Sequence, residues 1–425
     1  MTISQAILSL SDLFPQLWNN VVSLLVIISP IFMAVLLFVI FWELWVNYVR
    51  SKQMFATKYV VLELKLPKDT FKSPLAMEVF LQSLHNTADG NYFKQYWLGE
   101  TRPWYSLELV SVEGNVKFLL WAENARKVGV MSALYSQYPE IEIREVEDYT
   151  KSIHFDPKIT RIWACEFQFS KKKYTNAYPI KTYIDYGLDK DPKEEFKIDP
   201  MLPLLEFLGS VPVNQQVWMQ VLIMAHKKKR KFIDWFKETD DWEDGAKKAV
   251  DEILRRDSET KVAGVEIEGT EFTKMPSISM GEKDVAEAIE RSQKKHPFDV
   301  GIRFLYISPK ESFNTPFGLG GVMSSMKHFS SNTLNGFKPA KRWHTKLDNS
   351  WDDFRNMRRN RYGKLALDAY RRRSFFFTPY DGGTPMVMNT EELATIYHFP
   401  GSVSATPNLA RIPSKKAEAP SNLPI

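Results

Sequence analysis

A long apolar run lies near the N-terminus. From Val21 to Val46 the sequence is VVSLLVIISPIFMAVLLFVIFWELWV, interrupted only by two serines, a proline and a glutamate. About 20 apolar residues are enough to cross a bilayer, so the run predicts a transmembrane helix over 21–49, preceded by an external segment over 1–20. Trp and Tyr at the end of the run are typical of a membrane–water interface.

The charges on either side of this run predict its orientation. No Lys or Arg precedes it, which also argues against a cleaved signal peptide with its basic first region. The nearest basic residues all follow it: Arg50, Lys52, Lys58, Lys65 and Lys68. Basic flanks stay on the cytoplasmic side, so we expect a single-pass protein of the cytoplasmic membrane with its N-terminus outside. The alternative is a helix buried in a protein core.

Residues 58–150 predict a first α+β domain. Apolar positions alternate from Val60 to Leu66 as in a half-buried strand, and Ser73-Pro74 begins a helix. Two strand-like runs joined by Glu113-Gly114 predict a hairpin, and a helix and another strand follow up to Tyr149. The order β-α-β-β-α-β is that of the split βαβ, ferredoxin-like arrangement.

Residues 158–310 predict a second unit of the same kind. The predicted strands are Ile159–Phe169, Ile180–Tyr186, Gln216–Ala225 and Val300–Ser308, and the predicted helices are Pro200–Leu208 and Glu282–Lys295. Between them, residues 227–258 are amphipathic and rich in both charges, which predicts a protruding helical insertion. The fold class is therefore α+β, with one transmembrane helix and two ferredoxin-like cytoplasmic units.

Composition and motifs favour a non-enzymatic protein. Lys and Arg number 56 against 51 Asp and Glu, so the net charge of +5 excludes a strongly basic nucleic-acid coat. The single cysteine, Cys165, excludes a disulfide framework and a cysteine metal cluster. The sequence contains no G-x-x-x-x-G-K-[ST], H-E-x-x-H or G-x-S-x-G motif, and its seven histidines lack ligand spacing. We expect no catalytic residues, cofactor or metal.

Residues 311–388 predict a basic, aromatic helical region. Between Lys341 and Arg373 lie eleven Lys or Arg against four Asp, interleaved with Trp, Phe and Tyr. Arginines beside aromatic rings suit nucleic-acid binding. The alternatives are contact with anionic lipid, contact with an acidic protein partner, or a helix face that is simply solvated. The candidate contact residues are Arg355, Arg358, Arg359, Arg361, Arg371, Arg372 and Arg373.

Residues 389–425 predict a short helix and a Pro-rich connector tail. Asn389 and Glu392 have the spacing of a capping box, and Phe399-Pro400-Gly401 would end the helix. Its apolar positions suit a partner's groove, which makes them candidate docking residues. They are Leu393, Ile396, Tyr397 and Phe399. The alternative is that the helix packs back on its own domain.

Several segments resemble a known family. EELATIYHFP (Glu391–Pro400), RIPSKKAEAPSNLP (Arg411–Pro424), AYRRRSFFF (Ala369–Phe377) and the stretch Tyr178–Phe196 are similar to the membrane-anchored N-terminal regions of HerA/FtsK-like ATPases. These ATPases serve conjugative DNA transfer and type IV secretion. The resemblance covers nearly the whole chain after the apolar run, but the sequence contains no motor domain.

The resemblance implies either that the ATPase is a separate polypeptide or that the product is truncated or split just before the motor domain. We therefore expect a scaffold subunit of a type IV secretion or conjugation-like machine that docks an ATPase at the cytoplasmic face of the bilayer. Other expected partners are DNA and further copies of the chain. The alternative is a membrane-tethered nucleic-acid-binding module that uses the basic tract over 341–373.

Overall fold

The computed structural model describes residues 3–65, 72–171, 173–189, 198–230, 238–254, 278–342, 351, 353–381 and 383–401. The chain divides into two units. The first contains the N-terminal helix and Asp89–Thr101, and the second contains Lys58–Ala88 and the described residues from Arg102 onward.

Helix α1 (Ile3–Ala56) dominates the first unit. Its stretch Val22–Ala56 is long and apolar enough to cross a membrane, as the sequence predicts. The side chains from Val22 to Phe41 are all exposed, so they are not the core of this unit. A buried core helix, the alternative considered above, does not fit this exposure.

The second unit combines strands and helices, which confirms the α+β class. Its strands are β1 (Tyr59–Lys65), β2 (Trp104–Val112), β3 (Asn115–Glu123), β4 (Glu142–Val146), β5 (Thr160–Phe169), β6 (Gln216–Ala225), β7 (Lys229–Arg230), β8 (Glu238–Thr239), β9 (Pro297–Pro309), β10 (Phe337–Pro339) and β11 (Met386–Asn389). Its helices are α2 (Pro74–Leu84), α3 (Lys127–Gln137), α4 (Leu202–Gly209), α5 (Glu243–Ile253), α6 (Met280–Gln293), α7 (Gly321–Lys327), α8 (Met357–Arg371) and α9 (Thr390–Ile396).

One antiparallel sheet connects the two α+β segments predicted from the sequence. Its strand order is β10-β5-β9-β6-β2-β3-β1-β4, and β11 pairs with the beginning of β9. At the centre β2 pairs with β6 along its whole length, from Trp104 opposite Met224 to Val112 opposite Gln216. Strands β3, β1 and β4 therefore lie beyond β2, and strands β9, β5 and β10 lie beyond β6. The predicted boundary between two domains stays a prediction.

The two faces of the sheet carry different layers. Alternate residues of β1, such as Leu62 and Val61, belong to opposite apolar clusters, as the period of two requires. Helices α2, α3, α4, α7 and α9 cover the first face through side chains such as Phe80 and Leu205. Helix α8 covers the other face, where Tyr370 packs against Trp218. The sheet is therefore buried on both sides near its centre.

The predicted helical insertion over 227–258 differs in part from the structure. It contains the short paired strands β7 and β8 before α5, and residues 231–237 and 255–258 lie outside the described residues. Helix α5 does not protrude from the unit. Its Ala246 and Ala249 are buried with Ile289 of α6, because small side chains let the two helices approach closely.

The predicted strand Ile180–Tyr186 is wrong. The segment is a series of turns in which the Asp185 carboxylate accepts a hydrogen bond from the N–H of Thr182 at 2.9 Å. The N–H groups of Ile180 and Tyr183 donate to side chains of α9 instead of to a neighbouring strand. Local apolar alternation cannot reveal these distant partners.

A buried histidine connects the residues after β6 to β9. His226 donates from Nδ1 to Asp299 at 2.6 Å and from Nε2 to Asp240 at 3.2 Å, and Arg102 lies 3.8 Å from the other Asp299 oxygen. Burial alone would lower the pKa of His226, but the two carboxylates outweigh it and raise that pKa to about 9. The imidazolium therefore neutralises two buried acids at neutral pH.

We predict a pH-dependent loss of stability in His226→Asn. Because the folded pKa is raised, the stabilisation is complete below about pH 6.5 and is lost as the pH rises through about 9. The variant should lose at most about 3 kcal/mol at pH 6 and much less at pH 10. Denaturation of the full chain in detergent measures this difference, with the exposed His154→Asn as control. A loss that is equal at both pH values would contradict the assignment.

Candidate cationic interface on helix α8

Helix α8 is amphipathic, and its apolar side fixes it to the sheet. The residues Gly363, Ala366, Leu367 and Tyr370 are buried, at the spacing of one helical face. A Cβ at Gly363 would lie 3.4 Å from that of Ile162, so the small residue permits close packing on β5. The opposite side of the helix carries most of its basic residues and faces solvent.

An aspartate fixes the beginning of α8. The Asp353 carboxylate accepts hydrogen bonds from the backbone N–H groups of Arg358 at 2.7 Å and Arg359 at 2.9 Å. Such bonds satisfy donors that have no partner within the helix, and the negative charge suits its N-terminus. Arg355 and Asn356 take left-handed backbone conformations at this corner, with φ of 54° and 57°.

A row of polar side chains crosses the sheet beneath α8. Glu108 of β2 lies opposite Gln220 of β6, Gln220 lies opposite Arg303 of β9, and Arg303 lies opposite Glu166 of β5. We call these four residues the polar row. All are buried, and each is bonded to the next: Gln220 donates to Glu108 at 3.0 Å, Arg303 donates to Gln220 at 3.3 Å and to Glu166 at 2.6 Å.

The end of α8 inserts a second arginine into this row. Arg373 donates from Nε to Glu108 at 3.0 Å, and it also contacts Asp148. Tyr149 donates to Glu108 at 2.8 Å, and its hydroxyl lies 2.8 Å from that of Tyr370. Burial alone would lower the pKa of Arg373, yet the Glu108 and Asp148 carboxylates hold it well above its usual value. The arginine therefore stays charged inside the protein.

The structure separates the seven candidate arginines into three groups. Arg371 and Arg373 are structural: Arg371 donates to the backbone carbonyls of Thr150 and Ile153, and Arg373 is buried. Arg359 is half-buried. The rest are exposed, and with the exposed Lys364 they form what we call the cationic face: Arg355, Arg358, Arg361, Lys364 and Arg372. Arg372 pairs with Asp368 at 2.8 Å.

Exposed apolar side chains lie beside the cationic face. Trp351, Phe354 and Met357 are 81%, 64% and 59% exposed, and the guanidinium of Arg355 lies 5.1 Å from the Phe354 ring centre. Residues 343–350 and 352 of the predicted basic tract lie outside the described residues. Charges and aromatic rings therefore share the solvent side of α8 and of the turn before it.

The four predicted docking residues do not form a surface, which corrects that prediction. Leu393 and Ile396 are fully buried, Tyr397 donates from its hydroxyl to the carbonyl of Leu119 at 3.1 Å, and Phe399 packs against Phe118. The alternative, a helix that packs on its own domain, describes α9. The predicted Asn389–Glu392 capping box is confirmed, but the helix ends at Ile396, before the Phe-Pro-Gly sequence.

The sequence did not reveal the carboxylates that hold α9. The Glu392 carboxylate accepts hydrogen bonds from the N–H groups of Asn389 and Ile180, each at 2.9 Å. Glu391 accepts from Thr182 at 2.6 Å and lies 3.2 Å from Arg291. Burial raises the pKa of Glu392 to about 8. The capping-box spacing is the only local signal of this role, and it identifies the turn but not the distant partners.

A surface cleft and the single cysteine are the other candidate sites among the described residues. A surface cleft of about 790 Å³ is lined by Lys171, Lys248 and Lys338, but Lys171 donates to the Thr333 carbonyl and Lys338 to that of Ser170. In the described part of the chain, no three His, Cys, Asp or Glu side chains converge as metal ligands. Cys165 is buried, and burial raises the pKa of its thiol.

Comparison with known proteins identifies the family. A family model described as a domain of unknown function, DUF8128, matches residues 51–411. The chain belongs to the DUF8128 family. The match begins inside the last turns of α1 and includes all the strands and helices of the second unit. No curated protein matches the sequence.

We predict that two adjacent arginines of this DUF8128 protein differ sharply in their effect on stability. Arg373→Ala leaves Glu108 buried without its cation, which typically costs about 3–5 kcal/mol. Arg372→Ala removes an exposed pair with Asp368 and should cost less than about 1 kcal/mol. Denaturant titration of the full chain in detergent measures both. Equal losses in the two variants would contradict the assignment of Arg373 to the polar row.

Proposed function

We propose that this protein is a non-enzymatic, single-pass membrane anchor whose second unit presents the cationic face of α8 to a partner in the cytoplasm. The observation that carries the proposal is the long apolar helix whose side chains from Val22 to Phe41 are all exposed. The basic residues that follow the run support a cytoplasmic position for the second unit.

We propose that the partner is a separate HerA/FtsK-like ATPase of a type IV secretion or conjugation-like machine. The support is the resemblance of segments such as Glu391–Pro400 to regions that precede the motor in that family. Because α9 is buried, its apolar residues cannot be the contact surface. The cationic face is the better candidate, since three exposed basic side chains on α8, with Arg355 just before it and Arg372 just after it, suit an acidic surface.

We also propose that the two halves of the sheet are two split βαβ units. In the first half the strand order is β2-β3-β1-β4, which is the second, third, first and fourth strand of a β-α-β-β-α-β segment. In the second half, β5, β6, β9 and β10 are the first to fourth strands along the chain when the residues between β6 and β9 are taken as an insertion. Their order in the sheet, β6-β9-β5-β10, is again second, third, first and fourth. The second strands of the two units then pair at the centre.

Nucleic acid is the second candidate partner. The observation that favours it is the exposure of Trp351 and Phe354 beside Arg355 and Arg358. Bases of single strands stack on aromatic rings while arginines neutralise the phosphates, and such binding weakens steeply with salt.

We predict that the second unit is inside the cell. Single cysteines at Thr2 and at Val213, which is 71% exposed, report the two sides of the membrane. A membrane-impermeant thiol reagent should label Thr2→Cys in intact cells and Val213→Cys only after lysis, because the charge asymmetry holds the basic flank inside. The buried Cys165 of the parent chain supplies the background. Labelling of Val213→Cys in intact cells would refute the orientation.

We predict that charge reversal on α8 abolishes partner capture. Arg358→Glu with Arg361→Glu should remove co-purification of the ATPase encoded beside this protein, because two attractive charges become repulsive. Lys283→Glu with Lys294→Glu on α6 makes the same change in charge at exposed positions and should leave capture intact. Equal capture by both double variants would exclude the cationic face as the docking surface.

The same pair of variants tests the second candidate. If nucleic acid is the ligand, a fluorescent single-stranded oligonucleotide should bind the full chain in detergent and lose affinity steeply as salt rises. The α8 variant should then bind at least about tenfold more weakly, since each lost phosphate contact reduces the counterions released. Absence of binding at low salt would exclude this candidate and leave the protein partner.

A further inference from the structure

The first unit contains a short segment that packs along α1. Residues Lys94–Leu98 form one turn of π-helix within Asp89–Thr101. The Trp97 ring lies 5.6 Å from that of Trp45 and 6.5 Å from that of Trp42, measured between ring centres. Trp45 also donates from its indole N–H to the Tyr96 carbonyl at 3.2 Å. The segment is therefore held on the helix by aromatic contacts and a hydrogen bond.

A glycine sets how closely the segment approaches α1. Gly99 has a left-handed backbone with φ of 73°, and a Cβ there would lie 2.4 Å from the Val49 carbonyl oxygen. No side chain fits at that distance. Val46 and Val49, in the same stretch of α1, are 8% and 6% exposed, whereas the side chains from Val22 to Phe41 are all exposed. The segment is therefore fitted to this stretch of the helix.

The other side of the segment is apolar and uncovered. Tyr92, Phe93, Trp97 and Leu98 are 66%, 61%, 52% and 51% exposed. Four large neighbouring apolar side chains on one short turn make a patch of the kind that marks an interaction or membrane surface. Lys94, which lies between them in the sequence and pairs with Glu100 at 3.3 Å, is long enough to extend its ammonium group past this patch.

The position of the segment along α1 indicates what covers it. Twenty helical residues rise about 30 Å, the thickness of the hydrocarbon core. Counted from Val22, that length ends at Phe41, so Trp42 and Trp45 lie at the headgroup boundary. Trp97 and Tyr96 contact those two tryptophans and therefore lie at the same depth. Trp and Tyr are favoured at this boundary because one end is apolar and the other polar.

We propose that residues Tyr92–Leu98 form a second membrane contact, which inserts Phe93, Trp97 and Leu98 into the headgroup–acyl boundary of the bilayer that α1 crosses. The proposal rests on the membrane anchoring proposed above. It adds a lateral contact beside the span, so that the anchor has two points of attachment to the same membrane leaflet. Such a contact restricts rotation and tilt of the end of α1.

Spin-label accessibility tests the proposal on the full chain. Single cysteines at Phe93 and Leu98 carry a nitroxide in vesicles of phosphatidylcholine and phosphatidylglycerol, with Ile31 in the span and Val213 in the second unit as references. The ratio of oxygen to nickel-chelate accessibility rises with depth in the bilayer. We expect this ratio for labels at Phe93 and Leu98 to be severalfold above that at Val213 and below that at Ile31. The buried Cys165 does not compete for the label.

The reference positions and the spectra separate three possible failures. If position 31 is embedded while 93 and 98 match 213, the lateral contact is refuted and the anchor survives. If position 31 itself matches 213, the anchor fails, and the lateral contact fails with it. If 93 and 98 are shielded from both reagents and their spectra show spin–spin broadening, a second copy of the chain covers the patch, and the proposal is equally overturned.

A glycine substitution tests whether α1 sets the depth. Gly99→Ala should detach the segment and move a label at Phe93 toward the value at Val213, because its Cβ would collide with the Val49 backbone. Gly187→Ala is the matched control: Gly187 also has positive φ, at 70°, but nothing lies within 4 Å of its added Cβ. An unchanged depth in Gly99→Ala would contradict the docking of the segment on α1.

Discussion

The ionic contacts beneath α8 are the constraint on which the second unit depends. Glu108, Glu166, Arg303 and Arg373 are all nearly or fully buried, and an unpaired charge at such a depth would cost several kcal/mol. The polar row satisfies them only if β2, β6, β9 and β5 keep their register and the end of α8 places Arg373 over Glu108. A slip of one residue would turn these charges to the opposite face of the sheet, into the apolar cluster beneath α2, α3, α4, α7 and α9.

This arrangement lets one basic tract both fix α8 to the sheet and carry the exposed charges of the proposed binding surface. Three consecutive arginines have different surroundings. Arg371 donates to backbone carbonyls, Arg372 faces solvent and Arg373 lies in the core. The buried members fix the helix, so the exposed members occupy fixed positions on a rigid support. A binding surface that is already ordered loses less entropy when its partner arrives.

Much of the architecture could be predicted from the sequence. Apolar alternation identified β1 to within one residue, β-prone runs identified β6 to the residue and β9 to within three residues, and Ser73 and Asn389 marked the beginnings of α2 and α9. These features are local, because a strand's period and a cap depend on a few neighbouring residues. The almost wholly apolar character of Val22–Phe41 likewise needs no tertiary information.

The errors and omissions concern features that distant contacts decide. Apolar residues on α9 suit a partner's groove or the chain's own core equally well, and only the packing against β3 and α2 distinguishes the two. The basic tract did not show which arginines are buried, although polar residues within the apolar runs around Glu108, Gln220 and Arg303 were a usable signal. The aromatic segment at Tyr92–Leu98 gains meaning only from its place beside α1.

Hydrogen exchange tests whether α8 and the central strands unfold as one cooperative unit, which is what gives the cationic face a rigid support. The full chain in detergent is exchanged under native conditions, and the opening free energies of amides in α8, β2 and β6 are compared. Because the polar row ties α8 to the central strands, we expect the amides around Leu367 and Tyr370 to open with the same high free energy as those around Leu107 and Val221. If α8 opens at a much lower free energy than the strands, it is a separable flap, and the claim is wrong.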